Sequence, residues 1–164
     1  MRFFYTLIFL FLFSYAGVSQ TEQLAKNYFD RGDFEKAQNI YERLFEEEPN
    51  NPSIFFGLIA TYQQLEDFKK AEELLHHKVN TTANAPHYLV ELGHNYELQQ
   101  KKEQAEQFYN EALRAIESRP NYAFSIARTF EKYSLLDNAV KAYELGMKMN
   151  PDAEYYIQLA RLYG

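Results

Sequence analysis

The sequence predicts an all-α protein, a solenoid of antiparallel helix pairs with four repeats and a final half repeat. Three observations support this fold class. Alanine recurs at a constant interval along the chain, apolar residues keep helical spacing between these alanines, and glycine or proline signals separate the segments. The chain has 164 residues, of which 46% are hydrophobic, so it has enough apolar material for a folded domain.

Residues 1–19 differ in composition from the rest of the chain. Arg2 precedes an apolar run over residues 3–13, and small residues follow up to Ser19. This order is typical of a secretory signal peptide, and the run is shorter than the roughly 20 residues needed to span a bilayer. We therefore expect a signal peptide over 1–19, cleaved after Ser19 or, as second choice, after Ala16. An uncleaved anchor or a buried helix is the alternative.

The charge and the cysteine content exclude several classes of function. The formal charge is −6, and removal of Arg2 with the signal peptide leaves −7. An acidic chain without a basic cluster is unsuited to binding nucleic acid. Cysteine is absent, which excludes disulfides, thiolate catalysis and cysteine-ligated zinc. We expect the mature protein in the periplasm or cell envelope of a bacterium, with no stable membrane span after cleavage.

Three columns of residues keep a constant register over four copies. The small column is Ala37, Ala71, Ala105 and Ala139. The aromatic column, nine positions earlier in each copy, is Tyr28, Tyr62, Tyr96 and Phe130. The aliphatic column, thirteen positions before the alanines, is Leu24, Leu58, Leu92 and Ile126. Columns that stay in register over four copies, with a period of about 34 residues, indicate a repeat protein.

Each copy is predicted to form two helices joined by a short turn. In copy one, Leu24, Ala25 and Tyr28 share one face of a first helix, and Gly32 ends the pattern. A second helix follows and stops before Pro49. The second helices of the later copies are predicted to begin near Phe68, Lys102 and Leu136.

The repeats are predicted at about 20–51, 52–85, 86–119 and 120–152, followed by a half repeat at 153–164. In the half repeat, Leu159, Ala160 and Tyr163 restore the first-helix spacing one position early relative to Ala127 and its neighbours in copy four. The apolar side of this helix predicts a second helix that the sequence does not contain. A longer natural chain is the preferred explanation. Self-association through this side, or a simple cap, is the alternative.

The pattern Leu92-Gly93-x-x-Tyr96, followed by Ala105-x-x-x-Tyr109, resembles the tetratricopeptide repeat (TPR). The resemblance covers the whole predicted mature chain. It implies a right-handed superhelix whose concave face is lined by the first helix of each pair. It also implies a protein or peptide as the partner.

The outward positions of the first helices define a candidate partner-binding groove. An apolar column of equivalent positions comprises Phe56, Val90, Phe124 and Ile157. Four further candidates are Phe29, His87, His94 and Arg128. We expect this groove to receive a peptide or helix of a partner. Packing of the apolar column against the neighbouring first helix is the alternative.

The sequence offers little chemistry for catalysis or metal binding. His87, Glu91 and His94 share a helical face, and such groups can ligate a divalent ion. However, the two histidines are two turns apart, roughly 10.5 Å along the axis, so no metal and no other cofactor is predicted. A glycine-rich phosphate loop, a nucleophile elbow and an HExxH motif are all absent from the sequence. We therefore predict no enzyme activity.

Two functions of different classes remain open. The first is an exported scaffold or adaptor that binds a partner's peptide or helix in the groove. The second is an N-terminal docking or sensing segment of a larger envelope protein whose active part lies downstream. Some TPR domains hold C-terminal carboxylates with a clamp of lysine, asparagine and arginine. Glu22, His87 and Glu91 occupy its basic positions here, so that mode is not predicted.

Overall fold

The computed structural model describes residues 19–82 and 85–164, which belong to two compact units. Unit one extends to Asp67 and unit two begins at Phe68. The predicted signal peptide lies outside the described residues apart from Ser19, so its cleavage stays a prediction. None of the helices in the described ranges has the length and apolar content needed to cross a bilayer.

Every regular element within the described ranges is helical. Unit one contains α1 over 19–30, α2 (Phe34–Glu47) and α3 (Pro52–Gln64). Unit two contains α4 (Phe68–Thr81), α5 (His87–Leu98), α6 (Lys102–Ser118), α7 (Ala123–Lys132), α8 (Leu136–Met149) and α9 (Ala153–Tyr163). A short 3-10 turn, Pro120–Tyr122, precedes α7.

The predicted starts of the second helices at Phe68, Lys102 and Leu136 are confirmed. Two first helices have a side-chain N-cap, in which a short polar side chain satisfies a backbone N–H that has no partner inside the helix. Asn51 caps α3 and Asp152 caps α9, the latter by accepting from the Glu154 N–H at 2.8 Å.

The turn between first and second helix has the same geometry in all four copies. One residue in each turn adopts a positive φ, and these residues occupy equivalent positions of the repeat: Gly32, Glu66, Gln100 and Ser134. The next N–H donates to the carbonyl five positions earlier, as from Asp33 to Tyr28 at 2.9 Å and from Leu135 to Phe130 at 3.0 Å. This is a Schellman helix end. Three copies adopt it without glycine, at a strain of roughly 1 kcal/mol or more each.

In unit two, α5 pairs with α6 and α7 pairs with α8 through small residues. Ala105 and Ala139 are buried in these interfaces. A Cβ added to Gly93 would lie 2.3 Å from the ring of Tyr109 and 3.1 Å from the carbonyl oxygen of Ala105. The predicted facing of small residues across the helix pair is therefore confirmed for α5 and α6, because the backbones are too close for a side chain.

In unit one, the small residues Ala25 and Ala37 are both fully buried. Leu24 departs from its column, since 46% of it is exposed whereas Leu92 and Ile126 are fully buried. The reason is positional: among the described residues no helix pair precedes α1, so no described helix covers this side of Leu24.

Candidate functional site

The first-helix face of unit two carries a buried carboxylate. Glu91 on α5 has only 2% of its surface exposed. The Lys132 Nζ, at the end of α7, lies 3.0 Å and 3.2 Å from the two carboxylate oxygens, and the Tyr133 hydroxyl donates to one of them. Together with His87 and His94 these residues form what we call the Glu91 cluster. Ion pairing and the hydroxyl compensate the cost of burying the charge.

Both imidazoles of the Glu91 cluster favour the neutral form. Burial lowers the pKa of His94, an effect that nearby Glu97 opposes and Lys132 strengthens. Burial and the Lys132 charge also lower the pKa of His87. The His94 ring stacks on Tyr133 with centroids 3.6 Å apart. Both rings are therefore uncharged at neutral pH.

The Glu91 carboxylate is turned toward Lys132 and Tyr133, so it does not converge with His87 and His94 on a common point. Within the described ranges, no three histidine, aspartate or glutamate side chains are grouped so as to hold a metal ion. The residues of this cluster can instead offer a partner an ammonium group and two neutral imidazoles.

Acidification is expected to destabilise the chain partly through His94. Because its folded pKa lies below the unfolded value, the neutral ring stabilises the fold above about pH 6.5, and this stability is lost as the pH falls below that value. His94→Gln should therefore reduce the decline of the melting temperature as the pH falls from 7 to about 5.5, a range above the titration of carboxylates, and His87 should account for part of the remaining decline. His77→Gln, an exposed position on α4, should keep the wild-type slope. An unchanged slope in the His94 variant would contradict this assignment.

Tyrosine hydroxyls from the second helices bind carboxylates of the first helices. Tyr109 donates to Glu97 at 2.8 Å, and Tyr143 donates to Glu131 at 2.7 Å. Burial and the neighbouring carboxylate raise the pKa of Tyr143 to about 12. Each bond ties the two helices of one pair together and uses an acceptor that would otherwise face a partner.

Glu131 also binds a cation from α9. The Arg161 Nη2 donates to this carboxylate. Burial alone would raise the pKa of Glu131, but the hydrogen bonds from Tyr143 and Arg161 lower it. The Lys132 and Arg161 side chains remain about half exposed, at 49% and 53%, and Arg128 is exposed. On this face Glu91 and Glu131 thus lie inside, at 2% and 19% exposure, and the cations lie outside.

The prediction that Val90 lines the groove is wrong. It is fully buried in the core that contains Ile126, so it cannot contact a partner. The physical reason is that α7 packs against α5. Phe124, at the equivalent position of α7, is half-buried and stacks on Tyr155 of α9 with centroids 4.3 Å apart. Ile157, the last of the column, is 59% exposed. Within unit two the column is therefore mainly core until it reaches α9.

Two predicted groove residues, Phe29 and Phe56, belong to unit one. Both are half-buried. Phe29 lies edge-on to Phe34 with centroids 5.3 Å apart, and Phe56 lies edge-on to Phe55 at the same distance. Their role in binding stays a prediction.

Sequence reasoning missed several residues that organise this face. The hydrogen bonds between tyrosine and glutamate could have been predicted from the repeat. Glu97 and Glu131 occupy equivalent positions of consecutive copies, and each stands 12 residues before a tyrosine. The contacts of Lys132 and Tyr133 with Glu91 had no such signal in the sequence. They join residues 41 and 42 positions apart in the chain, a spacing that no other copy repeats.

Comparison with known families identifies the repeat. Models of the tetratricopeptide repeat match residues 28–89 and 86–119, which together cover more than half of the chain. The chain belongs to the TPR family. Its predicted fold class, a TPR-type α-solenoid, is confirmed. TPR arrays stack helix pairs into solenoids with extended concave surfaces, and such arrays typically serve as scaffolds for protein interaction. No curated protein sequence matches the chain.

Several solved structures resemble this TPR protein. The crystal structure of PcrH in complex with the chaperone binding region of PopB is 20% identical with a TM-score of 0.54, over 70% of this chain and 92% of that chain. The translocator chaperone SycD of Yersinia enterocolitica is 17% identical with a TM-score of 0.54, over 81% and 94%. MamA of Desulfovibrio magneticus RS-1 is 13% identical with a TM-score of 0.50, over 88% and 82%. At these identities the likeness concerns the fold.

Proposed function

We propose that this TPR protein is an exported, non-catalytic scaffold that binds an acidic and apolar segment of a partner protein. The binding surface is the cationic face of unit two, formed by Phe124, Arg128, Lys132, Ile157 and Arg161. Family membership supports the scaffold role, and the composition of residues 1–19 supports export. PcrH, which shares the fold, is described in complex with a binding region of another protein.

The observation that carries this proposal is the ordering of charge on the face. Arg128 and Lys132 are one turn apart on α7, so they lie on the same side of the helix. Arg161 joins them from α9 through its bond to Glu131. The two carboxylates beneath, Glu91 and Glu131, are already bound by tyrosine hydroxyls and cations, so they repel an acidic ligand less than free carboxylates would.

The cations retain donors for a ligand. A guanidinium has five N–H groups, so Arg161 can bind Glu131 and Gln158 and still offer donors to a second carboxylate. In the described structure the exposed Arg128 forms no ion pair or hydrogen bond through its side chain. The exposed part of Ile157 and the half-buried ring of Phe124 add apolar area beside these charges. An aspartate or glutamate next to a large apolar residue complements this arrangement.

Selection of peptides from a random display library on the folded chain tests the proposal. We expect enrichment of sequences that place Asp or Glu beside an apolar residue. The double variant Arg128→Glu, Ile157→Ser should bind the selected peptides at least about tenfold more weakly. Circular dichroism should show its helix content unchanged, since both positions are exposed.

Lys141→Glu is the matched control, because it makes a similar charge reversal at an exposed position of α8 outside the cationic face. It should bind the selected peptides as the wild type does. Enrichment of basic peptides, or equal weakening in the Lys141 variant, would overturn the proposal.

A further inference from the structure

A groove runs between the second helices of copies three and four. Its walls are α6 and α8, and its floor is formed by Leu113 of α6 and Leu145 of α8. The groove has a volume of about 500 Å³ along α6 and about 340 Å³ along α8. Both helices belong to unit two, and all of the lining residues lie in the described ranges. We call this surface the α6–α8 groove, and it is separate from the cationic face, which lies on α7 and α9.

The apolar floor of the groove is not a requirement of the repeat. Leu113 is buried, and Leu145 is half-buried at the border of the groove. One repeat earlier, the position of Leu145 is occupied by Glu111, which is exposed on α6. The repeat therefore folds with a carboxylate at this position. Leu145 adds apolar surface that the helix pair itself does not demand.

The two walls of the groove carry opposite charge. Three carboxylates and one guanidinium line the α6 wall and leave a formal charge of −2; they belong to Glu103, Glu106, Glu117 and Arg114. Two ammonium groups and one carboxylate line the α8 wall and leave +1; they belong to Lys141, Lys148 and Glu144. A ligand of uniform charge would thus be attracted by one wall and repelled by the other.

No ion pair joins the two walls. Among the described residues, neither Lys141 nor Lys148 pairs with a carboxylate, and the three carboxylates of the α6 wall pair with no cation. Glu144 accepts a hydrogen bond from the Tyr163 hydroxyl at 2.9 Å. Both walls therefore keep charge that a ligand can compensate.

We propose that the α6–α8 groove binds an amphipathic helix of a partner protein. The partner helix has apolar residues along one face, basic residues on the flank against α6 and acidic residues on the flank against α8. Its apolar face covers Leu113 and Leu145, because the side-chain ridge of a helix fits the groove between two others. Glu103 and Glu117 lie near the two ends of α6, about 21 Å apart along its axis. The contact thus has room for about four helical turns.

Charge also decides the direction of the partner helix and favours a different protein over a second copy. Reversing a helix exchanges its two flanks, so only one direction places the basic flank against α6. The chain itself has a formal charge of −6, and two acidic chains repel each other. A partner with segregated charge meets both walls without this repulsion.

A labelled synthetic helix of about 14 residues is the probe. It has leucines along one face, lysines on one flank and glutamates on the other, and a cross-link on its polar face keeps this short peptide helical. Fluorescence anisotropy with the whole chain should show saturable binding. A control peptide of the same composition, with lysines and glutamates alternating on both flanks, should bind at least about fivefold more weakly.

The double variant Lys141→Glu, Lys148→Glu reverses the charge of the α8 wall at two exposed positions. It should bind the segregated peptide about tenfold more weakly, and it should bind a peptide with lysines on both flanks more tightly than the wild type does. Arg31→Glu, Arg43→Glu is the matched control, since it makes the same change of net charge at exposed positions of unit one. It should bind each peptide as the wild type does. Arg128→Glu should also leave binding unchanged, which separates this groove from the cationic face.

Three outcomes would overturn the inference. The first is the absence of saturable binding of the segregated peptide. The second is equal binding of the segregated and the alternating peptide, or a double Lys variant that binds both as the wild type does. The third is a dimer of the whole chain in sedimentation that the double Lys variant dissociates, which would assign the groove to a second copy. The expected change of peptide preference, in a variant whose helix content by circular dichroism is unchanged, supports it.

Discussion

Lys132→Met is expected to destabilise the chain by about 3 kcal/mol at neutral pH. The substitution keeps the length of the aliphatic stem but removes the ammonium group from Glu91, which has only 2% of its surface exposed. The carboxylate would keep the Tyr133 hydroxyl as its one remaining partner in the cluster. Because Lys132 itself is half exposed, we expect a loss near the lower end of the range for broken buried ion pairs.

Urea unfolding of two further variants checks this explanation. Glu91→Gln in the Lys132→Met background removes the unpaired charge but keeps an acceptor for Tyr133, so it should restore at least half of the lost free energy. Lys141→Met, at an exposed position of α8, should change the free energy of unfolding by less than about 0.5 kcal/mol. A Lys132 variant as stable as the wild type would show that the ion pair contributes nothing to the fold.

Gly93→Leu is expected to cost about 3 kcal/mol or more through overpacking. A Cβ at this position would lie 2.3 Å from the ring of Tyr109, and the ring cannot move away freely. Tyr109 is 2% exposed and its hydroxyl is bound to Glu97. Helix propensity works in the other direction, since leucine is favoured over glycine by up to about 1 kcal/mol in a helix interior.

Ala160→Leu is the matched control, because Ala160 has the same register as Gly93 but is exposed, with no described helix over it. We expect it to change stability by less than about 0.5 kcal/mol. Thermal and urea unfolding of both variants provide the comparison. If the Gly93 variant were as stable as the Ala160 variant, the close approach of α5 and α6 would not limit the size of this residue.

The local pattern of the repeat was predictable from the sequence because helix faces and helix ends depend on neighbouring residues. The small column and the starts at Phe68, Lys102 and Leu136 follow from period and spacing alone. The turns were predictable only where glycine marks them. Gln100 and Ser134 adopt the same positive φ as Gly32, although nothing in their side chains favours it. Packing of the helix pair, rather than local preference, holds them there.

The candidate site was less predictable, since outward register does not decide whether a side chain stays exposed. Val90 and Ile157 occupy equivalent positions, yet one is fully buried and the other is 59% exposed. The difference depends on whether a further first helix packs beside the residue. The position of a residue within its own helix does not determine this.

The sequence by itself determined the period, the helix pairs and the family, because these depend on the spacing of residue types along one chain. The tertiary structure decided which charges are paired and which surfaces are open. Glu91 meets Lys132 only when α5 and α7 pack together, and α9 leaves Tyr156 and Tyr163 exposed only because no described helix covers them. Electrostatic pairing and solvent exposure depend on distances between helices, and a repeat pattern does not specify these distances.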